Sequence, residues 1–549
     1  MKELVMKHVA INAAKFGKPD EKAVIGKIIA ENPELKSNIR ELISIVKQSI
    51  AEFELMSYED KKALIEKYSS CLEKKEEKRE RLLPPLENAE EGKVVMRFAP
   101  NPNGPPTLGS ARGIVINGEY VKMYDGKFIL RFDDTDPRTK RPVLEAYDWY
   151  IEDTEWLGYE PDEIIYASKR IGIYYKYAKE LIELGGAYVC FCKQEEFKKL
   201  RDAGIECLHR NKSIEDNLED WESMLEGKFK EGEAVLRIKT DMKHPDPAIR
   251  DWVAFRIIYE SHPLVGDSYF VYPTLDFESA IEDKLCETTH ILRGKDLADS
   301  ERRQRYIYTY FGWAYPITKL WGRINVYEFG KLSTSGIKRE IEAGKYKGWD
   351  DPKLPTVRAL RRRGIEAEAI RRFFLSLGIG ENEVWVSMKN LYAENRKIID
   401  EKASRYFFIW DPVEVEIEKL PEERKIKLPL SPSGGERFLK GENKVLITRD
   451  DFEKFKGQVV RLKDFCNVLL EKKAKFLSFE IGNVKKGRII HWIPLSEAVP
   501  CKVLGEVEAE GFCEKNVGRD VGKVVQFERF AFCKIENANS EVLAIYTHQ

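Results

Sequence analysis

The chain has 549 residues, 43% of them hydrophobic, with 92 basic against 93 acidic side chains for a net charge of −1 and a pI of about 6.7. That length accommodates about three to five domains, and the charge balance gives no global electrostatic argument for a polyanionic partner, so any nucleic-acid contact has to come from local clusters. No run of 18 apolar residues exists, and the N-terminus MKELVMKHVAINAAKFGKPDEKA has neither a secretory apolar core nor an acid-poor transit pattern, which points to a cytoplasmic protein without membrane contact.

In chain order, residues 1–91 read as helical: Ile25, Ile28 and Ile29, then Leu42, Ile45, Val46 and Ile50, keep helical spacing. NPELKSNIREL supplies a break between helices, and LEKKEEKRERLLPPLENAEEG reads as a charged helix running into a proline-terminated linker. Residues 94–136 carry the most information. Val94 to Phe98 is a short strand, Pro100 to Ser110 a Pro/Gly loop, Ala111 to Tyr124 a helix with Ile114, Val115, Tyr120 and Val121 for a buried face, Lys127 to Phe132 a second strand, and Asp133 to Asp136 an acidic turn. This is the layout of a nucleotide-binding βαβ half, in which ligands sit beyond the carboxyl ends of the strands, so loop and turn face one crevice where ATP is expected. The loop's glycines are Gly104 and Gly109, with neither GxGxxG nor GK[ST], so the site is not a dinucleotide or Walker loop.

Roughly residues 171–270 interrupt this half. Within them Cys190 and Cys192 are followed after fourteen residues by Cys207 and His209. Two close pairs of soft ligands suit a tetrahedral structural zinc; the alternative is reduced cysteines beside an unrelated pair. The nine cysteines overall, odd in number and scattered, make no disulfide framework. YFVYPTLDFESAIEDKLCETTHILRG then resumes the sheet, and Arg293, like Arg97, stands where an apolar strand meets the crevice. Residues 330–339, GKLSTSGIKR, form a lysine-bearing loop. Arg361 to Arg363 with Arg371 and Arg372 make the densest basic group, open to both a solvated helix face and phosphate contacts. Beyond Tyr406, FFIWDPVEVEIEKLP and EVEAEGFCEKNVGRDVGKVVQFERFAFCKIE read as strands of a β-barrel.

Together these segments resemble the class I aminoacyl-tRNA synthetases, specifically the glutamyl/glutaminyl group in its archaeal-type form. Thr107, Leu108, Gly109 and Ser110 align with the family's first signature, HIGH, without either histidine. Lys331, Leu332, Ser333, Thr334 and Ser335 align with the second, KMSKS, with Thr334 in place of the second lysine. KGWDDPKLPTVRALRRRGIEAEAIRRFF resembles the archaeal and eukaryotic enzymes almost word for word. The missing histidines leave the chemistry open, because adenylate formation needs positioning and charge neutralisation rather than an imidazole base.

The resemblance implies a multidomain α/β plus β fold. Its parts are an N-terminal helical domain at 1–91, a class I Rossmann-like catalytic domain in halves at 92–170 and 271–325, an inserted acceptor-binding domain at 171–270, a signature loop and helical stem-contact region at 326–404, and a C-terminal anticodon-binding β-barrel at 405–549. It also implies ATP with Mg²⁺ held by Pro100, Asn101, Gly104, Thr107, Gly109, Ser110, Lys331, Leu332 and Ser333. Of these, Thr107, Gly109, Ser110 and Lys331 would serve catalysis, the Thr107 hydroxyl donating to a phosphate oxygen. The amino acid would be held by Arg97, Ala99, Asn101, Asp133, Ser279 and Arg293, with Asp133 taking the ammonium. Some relatives carry a small zinc ribbon where this chain has Cys190, Cys192, Cys207 and His209.

Arg293 falls where glutamyl enzymes have an arginine and bacterial-type glutaminyl enzymes a small neutral residue, which implies L-glutamate as substrate and tRNA(Glu) as acceptor, with tRNA(Gln) added if the enzyme is nondiscriminating. Glutamine in that site would leave a guanidinium without its ionic partner, at about 3–5 kcal/mol, or about two to three decades of selectivity. A salt bridge from Arg293 to Asp296 or Glu301 is the structural alternative. Leu275 stands where bacterial relatives often have a pocket tyrosine, so that contact is not carried over. The rivals are a glutaminyl enzyme and a catalytically silent tRNA-binding paralogue, which the absent histidines and Thr334 would permit. The N-terminal helices are open to two roles, docking another protein and touching tRNA.

Overall fold

The computed structural model describes residues 2–16, 19–31, 35, 38–57, 60–61, 64, 83–329, 334–481 and 488–549. The chain divides at Pro84/Pro85 into two compact units. The first holds three helices, α1 (Lys2–Phe16), α2 (Glu21–Glu31) and α3 (Ile39–Leu55), around Val5, Val9, Val24, Ile28, Leu42, Val46 and Phe53. The charged helix expected before Pro84 lies outside the described residues.

In the second unit, strands β1 (Val95–Phe98), β2 (Lys127–Phe132) and β3 (Glu163–Tyr166) pair in parallel, β1 to β2 and β2 to β3, with Arg97 opposite Ile129 and Arg131 opposite Ile165. Helix α4 (Leu108–Met123) makes the crossover from β1 to β2, burying Ile114, Val115 and Tyr120. Apolar residues on both faces of β2 fit a parallel sheet covered on both sides. Helix α5 (Leu144–Trp156) leads to β3, and α6 (Ile171–Glu183) leads away from it.

Four antiparallel strands form the interruption: β4 (Ala187–Cys190), β5 (Val235–Ile238), β6 (Val253–Ile257) and β7 (Val271–Pro273), with helices α7 (Gln194–Ala203) and α8 (Ile214–Leu225) between β4 and β5. β7, expected to resume the catalytic sheet, pairs instead with β6. The return comes one element later. Helix α9 (Leu275–Leu285) leads to β8 (His290–Gly294), and α10 (Ala298–Phe311) joins β8 to its parallel partner β9 (Ile317–Trp321). β8 lies beside β1, where the Thr289 amide donates to the Val95 carbonyl at 3.0 Å and Val95 N donates to Thr289 Oγ1 at 2.9 Å.

Helices α11 (Thr334–Glu342), α12 (Val357–Arg363), α13 (Ala367–Leu377) and α14 (Met388–Ile399) follow. The C-terminal region, expected as a β-barrel, forms two seven-stranded sheets and a separate two-stranded one, Arg424–Ser431 with Gly434–Gly441, among the described residues. Each of the two large sheets has its own core, and one extended segment serves both: Tyr406 and Phe408 pack in one, Phe407 and Ile409 in the other. Alternate side chains of a strand point to opposite faces, so a continuous apolar run such as YFFI marks a strand buried on both sides. No helix among the described residues is long and apolar enough to cross a membrane.

Candidate active site

Two arginines at the carboxyl ends of neighbouring strands converge on one carboxylate. Arg97 Nε and Arg131 Nη1 each donate to Asp283 Oδ1 at 2.8 Å, and Arg97 Nη2 reaches Oδ2 at 3.3 Å. Arg131 is wholly buried; its Nε donates to Asp133 Oδ1 at 2.7 Å and its Nη2 to Ser279 Oγ at 2.8 Å. Burial pushes the Asp283 carboxyl up, but the two guanidiniums outweigh it and hold the group at about 2. Glu278 is buried on the same helix, and burial with the nearby Asp133 charge raises its carboxyl well above the ordinary range. Glu282 is engaged by Arg170 at 2.8 Å and by the Tyr174 hydroxyl.

The acidic turn is fastened to the loop after β1. Asp133 N donates to Pro100 O and Asn101 Nδ2 to Asp133 O, both at 3.0 Å, which brings Ala99, Asn101 and Asp133 together. The next residue, Asp134, is buried and accepts from Tyr147 and from Ser168, while His262 of the interrupting segment donates its Nε2 proton to the Asp134 carbonyl at 2.6 Å. Arg293 ends β8 and is 5% exposed, and its Nη2 donates to Gln304 Oε1 at 2.9 Å. The alternative pairing is excluded, because Asp296 pairs with Arg323 and Glu301 with Arg305. Arg97, Arg131 and Arg293 are gathered here with the carboxyls of Asp133, Asp283 and Glu278, the last lying 3.9 Å from Arg131 Nε.

On the nucleotide side, Thr107 is the N-cap of α4, and its Oγ1 accepts from Ser110 N at 3.4 Å. The hydroxyl expected to meet a phosphate is therefore buried as a cap, and the helix starts at Leu108, three residues before the sequence reading placed it. What the α4 N-terminus offers an anion is backbone amides: Gly109 is exposed in the first turn, which carries no acidic residue. The loop is held from below, Leu108 N donating to Pro355 O at 2.8 Å and Val357 N to Pro106 O at 2.9 Å. Gly104 is a place of close approach, since a Cβ there would stand 2.6 Å from Thr334 Cγ2 and 2.7 Å from Trp349 Cη2. Lys331, Leu332 and Ser333 lie outside the described residues.

Compared with known families, residues 93–401 match the model of class I tRNA synthetases (E and Q), catalytic domain. The chain belongs to this family. Residues 403–485 of the synthetase match the family's anticodon-binding domain. It is 70% identical to the glutamate–tRNA ligase of Archaeoglobus fulgidus, with all of both chains covered. It is 51% identical to that of Methanothrix thermoacetophila, covering 100% of this chain and 99% of the relative, and 50% identical to that of Pyrococcus furiosus, with both chains fully covered.

Away from these loops, the four Cys/His side chains of the synthetase do meet. The ligand atoms of Cys190, Cys192, Cys207 and His209 lie within 4.8 Å of one another, with Cys190 Sγ to Cys207 Sγ at 3.9 Å and Cys192 Sγ to His209 Nδ1 at 3.5 Å. Tetrahedral zinc at about 2.3 Å from each sulfur sets sulfurs about 3.8 Å apart, so the donors fit that ion. Arg237, 6% exposed and without a carboxylate partner among the described residues, bears electrostatically on the Cys190 thiol.

The basic cluster is mostly structural. Arg363 is fully buried, donating to Thr547 O, Tyr392 and Glu506, while Arg362 pairs with Glu536, and Arg371 and Arg372 with Glu368. Arg361 stays exposed over Trp156, lining a cavity of about 980 Å³ with Trp149, Trp349 and Arg358. Sequence reasoning missed Arg131, Asp283 and Gln304; Arg131 alone left a signal, as a charged residue inside the apolar run KFILRF.

Proposed function

We propose that this synthetase joins L-glutamate to tRNA(Glu) with ATP, through glutamyl adenylate. The observation that carries the reading is the buried guanidinium of Arg293 at a strand end, joined to the neutral amide of Gln304 rather than to a carboxylate, which suits a substrate that brings a side-chain carboxylate of its own. Arg293 receives the side-chain carboxylate, and Asp133, half-buried at the rim, receives the ammonium. Arg97 and Arg131, locked on Asp283, tie the ends of β1 and β2 to α9 beside the pocket.

ATP enters as its Mg²⁺ complex, the metal arriving with the substrate to neutralise part of the triphosphate. Amides at the α4 N-terminus and Lys331 take the phosphates, and Gly104, Asn101 and Pro100 shape the loop around the nucleotide. An oxygen of the glutamate α-carboxylate attacks the α-phosphorus, and the bond to the bridging oxygen breaks, releasing pyrophosphate. The 2′-hydroxyl of the terminal adenosine of tRNA then attacks the acyl carbon, losing its proton, and AMP leaves. Orientation and charge stabilisation supply most of the acceleration, which suits a pair of signatures without histidine.

The interrupting segment receives the acceptor end and the C-terminal sheets the anticodon loop, with the helices between them contacting the stem. Cys190, Cys192, Cys207 and His209 hold a structural zinc ion; when bound it staples the Cys207 turn to β4, and Arg237 offsets the single negative charge of a zinc ion carrying three thiolates. The same reading puts the protein in the cytoplasm with its substrates.

The test is charging with labelled glutamate and glutamine on separately transcribed tRNA(Glu) and tRNA(Gln). Glutamate on tRNA(Glu) is expected, and glutamate on both would make the enzyme nondiscriminating. Glutamine charging would overturn the role given to Arg293.

A further inference from the structure

We propose that Gln304 reads the substrate side chain together with Arg293, and that the fixed direction of its amide separates a carboxylate from a carboxamide. The inference rests on the reading of Arg293 as the partner of the glutamate side chain. Gln304 stands on α10 and is 1% exposed. Its Oε1 accepts two hydrogen bonds, from Arg293 Nη2 at 2.9 Å and from the Tyr315 hydroxyl at 2.6 Å. Burial pushes the Tyr315 phenol up to about 12, so it remains a donor at neutral pH. An amide whose oxygen takes two donors cannot be turned over without setting donor against donor, so its NH₂ has one direction.

Two buried donors are then left without an acceptor among the described residues, Arg293 Nη1 and Gln304 Nε2. They belong to side chains already joined by a hydrogen bond, so one ligand group can reach both. Buried donors left unmet are costly, and the group that satisfies both has to bring two acceptors. A side-chain carboxylate does so. A carboxamide brings one acceptor and an NH₂ that faces a donor, whichever way it turns. Charge at Arg293 favours glutamate over glutamine; Gln304 adds a directional rejection of the amide, the kind of discrimination that polar sites achieve and apolar ones do not.

The experiment measures KM and kcat for glutamate and glutamine in charging of tRNA(Glu), with the KM for ATP as a check on the rest of the site. Gln304→Glu places an acceptor and a competing charge on Arg293, and is expected to raise the glutamate KM about 100-fold and lower the glutamate-to-glutamine ratio of kcat/KM at least about tenfold. Gln304→Leu, which removes the amide altogether, is expected to lower that ratio about tenfold, and Tyr315→Phe, which removes one of the two donors that fix the amide, by a few fold. The KM for ATP stays constant throughout. Arg293→Gln separates the two readings: if it leaves the glutamate KM unchanged, the pocket assignment itself fails. If Arg293→Gln loses glutamate while both Gln304 variants keep the wild-type ratio, the inference about Gln304 alone is overturned. Equal losses for both amino acids with a raised ATP KM would assign Gln304 a merely structural role and also overturn it. Should Gln304→Glu fail to fold, Gln304→Leu and Tyr315→Phe decide the matter.

Discussion

Replacing Asp283 with asparagine keeps the size of the side chain and removes the one charge that Arg97 and Arg131 share. A carboxylate held at about 2 rather than its ordinary 3.8 contributes about 2 kcal/mol of stability. Because its folded value is lowered, that contribution is fully present above pH 3.8 and is lost as the pH falls through about 2. Asparagine takes the charge away from Arg97, for which Asp283 is the carboxylate partner, while Arg131 keeps Asp133 and Ser279, and breaking a buried pair costs about 3–5 kcal/mol. The chain divides into two compact units, so one global unfolding midpoint is a poor readout. Hydrogen exchange by mass spectrometry at pH 7, on peptides covering β1, β2 and α9, reads the local opening directly. Asp283→Asn is expected to speed their exchange at least about a hundredfold, while peptides from the two C-terminal sheets keep their rates. Acceleration below about tenfold in β1 and α9 would refute the claim that this shared carboxylate holds the pocket together.

Gly104→Val puts a Cβ 2.6 Å from Thr334 Cγ2 and adds methyl groups against Trp349, so the KM for ATP in pyrophosphate exchange is expected to rise about tenfold with that for glutamate nearly unchanged. Thr107→Ala removes the cap of α4 and is expected to cost about 1 kcal/mol of local stability, while Thr107→Ser retains it. A large kcat difference between those two variants at equal protection of α4 would instead give the hydroxyl a direct part in catalysis. Elemental analysis is expected to find zinc at one ion per chain, Cys207→Ser to lose it, and Arg237→Ala to release it faster to a chelator; a metal-free wild type with an intact β4–β5 hairpin would dismiss the site.

Local pattern carried many of the elements and placed Arg97 and Arg293 at strand ends. The strand Lys127–Phe132 was legible residue for residue, because its apolar run is bounded by Gly126 and by the acidic turn. The Cys/His spacing likewise foretold a convergence that the fold makes. Pairings between distant segments were not legible. Arg131 sits inside an apolar run, and its partner Asp283 lies 152 residues away, so no window of sequence holds both. Arg363 belonged to a basic run open to a solvated face or to phosphate contacts, yet it is buried by a C-terminal strand whose Thr547 carbonyl is 184 residues downstream. The division of the expected barrel into separate sheets was hidden for a similar reason: alternation marks strands, but only the packing tells which core each face serves. Of the lysine loop read at 330–339, four residues fall outside those described, and from Thr334 onward the chain is already helical as α11.

Helix α12 has seven residues, about 10 Å of rise, with neither glycine nor proline among them. Backbone hydrogen bonds stitch its first residue and the preceding proline to the loop that opens α4, and its last side chain is buried against the final strand of the chain. The nucleotide loop and the far terminus are thus separated by one short, stiff lever. Any load that RNA places on the C-terminal sheets has a rod rather than a hinge to act on at this joint, and the active-site loop is where its other end rests.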